Sequence, residues 1–326
     1  MGRMCVVLMC FLLGISSQFA VAQSKDSLLV LSWNLENWFD PIWHGEQDDP
    51  AFTPGGEKHW TWTRLREKRD RIAHLLVSVS GDWGRIPDVV AFCEVENRRV
   101  LEILLEETVL VKSDYVIVHF EGPDRRGIDC ALLYRSEQLE LLAAGLLPVH
   151  PPGSPRSLRS ILYALLKDRC EGMYYHFFVN HWPSRLGDTG AGRMQAAHVL
   201  LRSVDSILQV AAMDRIIAVG DFNTNAQSPA LASLAPQLVP LYPGVRGEKG
   251  IAGSVRYRGV WELIDWMLVP AGQKASVTTW IYAPAFLLEE EKRWMGKRPH
   301  RTYQGPRYLG GVSDHLPIVG LFSKNV

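Results

Sequence analysis

Short apolar runs recur along the whole chain: Leu28–Trp33, Asp88–Cys93, Tyr115–His119, Cys130–Tyr134, Tyr174–Asn180, Arg215–Gly220, Ile264–Val269 and Leu316–Phe322. They are rich in Val, Ile, Leu and aromatic residues. Several are apolar throughout, which predicts β-strands covered on both faces. Between some of them the period changes. Leu65, Ile72, Leu76 and Val79 fall on one face of an otherwise charged segment, and Val100, Leu101, Leu104 and Leu105 do the same. Met194, Ala197, Leu200, Leu201, Val204, Ile207 and Leu208 form the clearest stripe. These spacings predict amphipathic helices. Strands with interspersed helices imply a layered α/β fold. Pro148–Pro155 is a proline-rich turn region, but polar residues of interest lie on both sides of it, so a single domain is expected.

Polar residues repeatedly follow or interrupt the strand-like runs. Asn34 and Glu36 follow LLVLSW, Glu94 follows DVVAFC, and Asn180 and His181 follow HFFV. Asp221 and Asn223 follow IIAVG, Asp265 interrupts an apolar run, and Asp314 and His315 precede LPIVG. Rigid strand ends are suited to bringing catalytic groups together from distant parts of a chain. Oxygen ligands from Asn, Asp and Glu suit a hard cation such as Mg2+ or Mn2+. Two histidines beside carboxylates suit proton transfer and stabilisation of negative charge. The chain lacks a serine nucleophile elbow, a GxxxxGK loop and a GxGxxG fingerprint, so water activated beside a metal is the natural nucleophile. Taken singly, each residue also has an ordinary reading, as a turn residue, a solvated acid or a structural ion pair.

The motifs resemble those of the endonuclease/exonuclease/phosphatase superfamily. They are WNLEN at Trp33–Asn37, CEVEN at Cys93–Asn97, NHWPSR at Asn180–Arg185, GDFN at Gly220–Asn223, LIDWML at Leu263–Leu268 and SDHLP at Ser313–Pro317. RGIDCALLYR at Arg126–Arg135 and RSIL at Arg159–Leu162 are similar to a bacterial exported branch. The resemblance implies a four-layered α/β sandwich, two packed and mostly antiparallel sheets flanked by helices, with the site at one edge. It implies Mg2+ or Mn2+ held by Glu94, Asn34 and Asp314, with Glu36 as a possible further carboxylate. Asp221 matches the residue that orients or deprotonates the attacking water, and Asn223 fixes that water or a phosphate oxygen. His315 would contact the scissile phosphate with Asp265 holding its imidazole; His181 and its neighbour Asn180 would complete the transition-state contacts. Arg159 reads equally as a phosphate contact or a structural cation. Two stretches depart from the family pattern: Gly253-Ser254-Val255, before a substrate-side loop, and Thr224-Asn225-Ala226, after GDFN.

The implied activity is hydrolysis of phosphodiester or phosphomonoester bonds. The partner is a phosphate-ester substrate, DNA or RNA ranking slightly ahead of phospholipids and sugar phosphates, with no stable protein partner and a monomeric state. A catalytically inactive module that only binds a phosphorylated ligand, or a structural surface protein, would explain less of this acid and histidine set. The formal net charge of zero weighs mildly against a generic nucleic-acid coat protein. One stretch is strongly basic: Lys292, Arg293, Lys297, Arg298, His300, Arg301 and Arg307, with Trp294 and Tyr303 among them. It reads either as a grip on a nucleic-acid strand or as a solvated loop facing the acidic run Glu289–Glu291. The N-terminus reads as a signal peptide over residues 1–22, leaving a catalytic domain over 23–326. Met4–Ile15 is almost unbroken apolar sequence, and Ala20-Val21-Ala22 gives a small-x-small cleavage pattern. Export to the periplasm or the exterior follows. Cys93, Cys130 and Cys170 then remain, the first two expected as small buried hydrophobes.

Overall fold

The computed structural model describes residues 26–45, 50–151, 153, 157–185 and 190–324; the segment read as a signal peptide lies outside them. Eight strands come first in chain order: β1 (Ser27–Trp38), β2 (Val89–Val95), β3 (Tyr115–His119), β4 (Asp129–Arg135), β5 (Leu139–Val149), β6 (Leu158–Asp168), β7 (Tyr174–His181) and β8 (Arg215–Asp221). The main helices are α1 (Trp62–Trp83), α2 (Arg98–Glu106) and α3 (Ala191–Val210). All eight strands and all three helices expected from the sequence are found, most with ends moved by a residue or more. The expectation missed β5, β6 and the strand Val277–Ala283. Pro148–Pro155 spans the connection of the β5–β6 pair.

Two large sheets face each other. One has seven strands in the order Gly244–Gly247, Val277–Ala283, Ile318–Ser323, β1, β2, β4, β3. The other has six, in the order β5, β6, β7, β8, Asp265–Val269, Val239–Pro240. Most neighbours are antiparallel, but β1–β2 and β7–β8 are parallel. Parallel neighbours need a long return connection, and α1 and α3 lie on the two returns. The parallel pairs occupy the middle of their sheets and pack across the interface, β1 against β8 and β2 against β7.

The apolar runs explain this layering. In β8, Ile217 and Val219 join the large core while Ile216 and Ala218 face the smaller cluster built on α3. In β7, Tyr175, Phe177 and Val179 take the first side and Phe178 the second. A strand with both faces covered has no polar side to offer, so it reads as a continuous hydrophobic run. Each such buried aliphatic or Phe side chain contributes about 1.5–3 kcal/mol. Cys93 and Cys130 are buried, unbridged cross-strand neighbours, and Cys170 is exposed. The fold is therefore the four-layered α/β sandwich expected.

The topology also decides where chemistry can sit. The C-terminal ends of β1, β2, β7 and β8 reach one edge of the sandwich. Asp265–Val269 runs antiparallel to β8 and so begins at that edge, and Ile318–Ser323 runs antiparallel to β1 and begins there too. The edge thus collects Asn34, Glu94, His181, Asp221, Asp265 and His315 from six separate strands or strand approaches.

Candidate active site

The backbone itself is bent to aim these groups. Among the described residues, seven non-glycine positions have positive φ, and Glu36 (48°), Asn37 (55°), Glu94 (64°) and Asn223 (51°) are four of them. Such conformations cost energy in non-glycine residues and cluster where function over-determines the geometry. Register shifts between Asn34 and Trp38 in β1, and between Cys93 and Val95 in β2, accompany them. Gly220 precedes Asp221 at φ 128°, and a Cβ there would lie 2.0 Å from the Asn180 carbonyl oxygen. Only glycine lets β8 approach β7 so closely.

One oxygen is the hub. Asp221 Oδ2 accepts hydrogen bonds from Asn34 Nδ2 (3.1 Å) and Asn223 Nδ2 (3.1 Å). It also lies 3.8 Å from His181 Nε2 and 3.9 Å from His315 Nε2. Asp221 Oδ1 accepts from the Asn223 backbone N–H at 2.8 Å, closing the turn after β8. Burial, then the neighbouring Asp265 carboxylate, push the Asp221 carboxyl up to about 7. Asp265 pairs with Asp221 in the strand register, and its Oδ2 lies 2.7 Å from His315 Nδ1. Burial opposes a charge on His315, but the Asp265 carboxylate overrides it and raises the imidazole well above its usual value. His181 behaves oppositely. Burial, with the positive charges of Arg159 and Arg126 nearby, lowers it well below the usual range. Its Nε2 stands 3.5 Å from Glu94 Oε1, while its buried Nδ1 has no hydrogen-bond partner among the described residues. The site therefore holds one imidazolium and one neutral imidazole.

The predicted metal ligands lie beside this hub. Glu94 accepts from the Asn37 backbone N–H through Oε2 (2.7 Å), and among the described residues no N–H donates to Oε1. Asp314 pairs with Arg301 through Oδ2 (2.9 Å), leaving Oδ1 3.9 Å from His315 Nε2. These outward carboxylate oxygens and the Asn34 amide are the hard donors a divalent cation requires, so the residues present fit such an ion. Asp221, Asp265 and His315 also offer ligand atoms within 4.8 Å of one another. The Asp265–His315 hydrogen bond already uses two of those groups.

Three expectations change. Glu36 is not available as a ligand: Oε1 takes Nε and Nη2 of Arg301, each at 3.2 Å, and Oε2 takes the Thr302 backbone N–H at 2.6 Å. An acid that is 94% buried needs such partners, and this one has them. Asn180 is wholly buried and turned inward, its Nδ2 donating to the Phe178 carbonyl (3.0 Å) and its Oδ1 accepting from Trp182 Nε1 (3.0 Å). It positions the loop rather than the substrate. Arg159 resolves to the structural reading, bonded to Asp124 (2.6 Å) and the Trp182 carbonyl (3.0 Å). Arg126 also pairs with Asp124 (3.6 Å).

Arg301, read in the sequence only as part of the basic stretch, bridges Glu36 and Asp314. A second cation went unnoticed in the sequence. Lys68 of α1 is 99% buried and donates to the Glu36 carbonyl (2.7 Å) and Thr302 Oγ1 (2.9 Å). Burial draws its ammonium down to about 8, against the upward pull of Glu36, Glu94 and Asp314. Position 68 is three residues after Leu65 and four before Ile72, on the buried stripe of the helix, so the signal was present.

The same arrangement of sheets recurs in solved structures. An endonuclease/exonuclease/phosphatase family protein from Bacteroides thetaiotaomicron superposes with TM-score 0.59 at 16% identity, covering 92% of this chain and 98% of that one. The human Nocturnin catalytic domain gives 0.57 at 17%, covering 92% and 95%. A mannosyl-6-phosphatase from Bacteroides thetaiotaomicron gives 0.58 at 16%, covering 90% and 98%. At these identities the likeness is one of fold. No curated protein matches the chain. The model of the endonuclease/exonuclease/phosphatase family, by contrast, matches residues 29–324, nearly all of the described chain. The chain belongs to the endonuclease/exonuclease/phosphatase family and is a metal-dependent hydrolase of phosphoester bonds.

Proposed function

We propose that this protein is an exported phosphoesterase in which Asp221 and His315 perform the proton and charge work at a phosphate held beside Glu94. The observation that carries the reading is the convergence on Asp221 Oδ2 of two amides and two imidazoles from different strands. When bound, Mg2+ or Mn2+ would be held by Glu94 and Asp314 with Asn34 alongside, and would supply positive charge to the phosphate oxygens. Asp221 orients a water and accepts its proton, a role suited to a carboxyl whose affinity for protons is raised by burial. Asn34 and Asn223 fix the rotamer of Asp221. The His315 imidazolium, kept charged by Asp265, meets negative charge as it develops on the phosphate. Neutral His181 offers a directional Nε2–H between Glu94 and Asp221.

A phosphodiester of a nucleic-acid strand is the first substrate reading, supported by the basic surface next to the site. A sugar-phosphate monoester is the second, in line with the activity named for the mannosyl-6-phosphatase of similar fold. The apolar run Met4–Ile15 and the Ala20-Val21-Ala22 pattern support export. The test is hydrolysis of bis-p-nitrophenyl phosphate, plasmid DNA, RNA and mannose 6-phosphate, with Mg2+, Mn2+ or chelator. Metal-dependent cleavage that drops at least ~100-fold in His315→Ala is expected. Equal turnover in a folded His315→Ala protein, or turnover indifferent to chelator, overturns the reading.

A further inference from the structure

A second cavity, of about 780 Å3, opens beside the active site. Seven of its twelve lining residues are Arg or Lys and only two are acidic. It holds most of the basic stretch noted in the sequence, joined by Arg256 and Arg258 from a hairpin formed by Val255–Tyr257 and Val260–Glu262. The hairpin is tied to the catalytic groups at its base. Val255 forms a β-bridge with His315, the Leu316 N–H donates to the Ser254 carbonyl (2.7 Å), and Ser254 Oγ accepts from the Asp265 N–H (3.3 Å). Arg301 belongs to both places: it lines the cavity and pairs with Asp314.

The charges inside are unequally spent. Arg256 is paired with Glu291, Arg298 with Glu289, and Arg301 with Glu36 and Asp314. Arg258, Lys292, Arg293 and Arg307 have no carboxylate within ion-pair distance among the described residues. Unpaired cations held together in one concavity repel each other, and their mutual cost is relieved by a multivalent anion. Two of the four are also pre-positioned. The Arg258 guanidinium lies 5.1 Å from the Tyr257 ring centroid, and that of Arg293 lies 5.3 Å from the Trp294 ring. Trp294 in turn packs on Gly259, where a Cβ would lie 2.8 Å from the Trp294 Cβ. These rings hold the guanidinium groups, whose planar donors match phosphate oxygens.

We infer that this cavity is a subsite for phosphate groups remote from the bond being cleaved, so that the enzyme selects esters carrying more than one phosphate. The inference rests on the phosphoesterase reading for what is cleaved, and on the cavity alone for what is bound. Extra phosphates come from two sources, a polyphosphorylated polyol or the following nucleotides of a strand, and the test separates them. Calorimetry in metal-free buffer would measure binding of inorganic phosphate, inositol hexakisphosphate and a short oligothymidylate to the full chain and to its R258A/R293A/R307A variant. Hydrolysis of bis-p-nitrophenyl phosphate with Mg2+ would be followed separately. The subsite is supported if either multivalent probe binds at least ~10-fold tighter than phosphate, loses that advantage in the variant, and leaves bis-p-nitrophenyl phosphate turnover unchanged. The tighter of the two probes identifies the source. Equal binding of all three probes, or an unchanged advantage in the variant, overturns it. Absence of hydrolysis with arginine-dependent binding intact would count against the catalytic reading and leave the subsite standing.

Discussion

Asp265→Asn removes a charge and keeps a shape, so it isolates what Asp265 does for His315. The pair is 2.7 Å apart, and both residues are at least 91% buried. Removing one partner of a buried ion pair costs ~3–5 kcal/mol if the other charge stays. His315 escapes most of that cost by releasing its proton, because an unperturbed imidazole titrates near 6.5. Fold stability is therefore expected to change little, and the penalty moves to the imidazolium. At ~1.4 kcal/mol per factor of ten, its proton affinity falls roughly a hundred- to several-thousand-fold. Turnover of bis-p-nitrophenyl phosphate at pH 7 with saturating Mg2+ should fall ~100-fold or more. Acidification should not restore it, because Asp221, pushed up to about 7, is then protonated and can no longer take the proton from water. Thermal unfolding run alongside controls for folding. Turnover within about threefold of the parent, in folded protein, would refute the assignment of Asp265 and His315 as a functional pair.

Three further outcomes follow from other residues. Glu94→Gln should weaken Mn2+ binding, measured by calorimetry, at least ~10-fold while the protein stays folded, since one of the hard ligands loses its charge; unchanged affinity would move the cation away from Glu94. Gly220→Ala should destabilise by more than ~2 kcal/mol, read as a lowered Tm, because its φ of 128° and the Asn180 carbonyl leave no room for a Cβ; a neutral effect would refute the close approach of β7 and β8. Asp129 is pushed up to about 7, chiefly by burial. Between the unfolded value near 3.8 and 7 the folded state holds the extra proton, so this acid costs stability as pH rises through that window. Asp129→Asn should raise Tm at pH 8 and lose the advantage by about pH 4, and a pH-independent difference would contradict the burial of that charge.

Much of the site was legible because strand ends announce themselves. A polar residue that follows, interrupts or precedes an apolar run is conspicuous, and Asn34, Glu94, His181, Asp221, Asp265 and His315 stand out in that way; the sheets bring them to one edge. Orientation was less legible. Asn180 follows the same kind of run as His181, but adjacent residues of a strand point to opposite faces, so one neighbour had to turn inward. Glu36 carries the right chemistry, yet its fate was set by Arg301 and Thr302, more than two hundred and sixty residues away. Lys68 was hidden by company: its segment, TRLREKRDR, is so rich in charge that no single member stands out. Strand β5 escaped because most of its residues are partly or fully exposed; β6 alternates in burial over Leu162–Asp168, but apolar Tyr163 and Leu165 stand on its half-buried face, so the alternation does not show in the sequence.

The pairing of β1 with Ile318–Ser323 decides when activity appears during synthesis. Trp33 Nε1 donates to the His315 carbonyl (2.9 Å), and Ser313 Oγ donates to the Asn34 carbonyl (2.6 Å), so the beginning of the domain holds the end of it in place. A nascent chain has made Asn34, Glu94, His181 and Asp221 but still lacks the imidazolium and the strand that seats it. Closing this contact spans nearly the whole sequence, which places it among the slowest events of folding. Competence for cleavage therefore arrives all at once, with the strand Ile318–Ser323, and a chain still being made has no hydrolytic power over the phosphate esters around it.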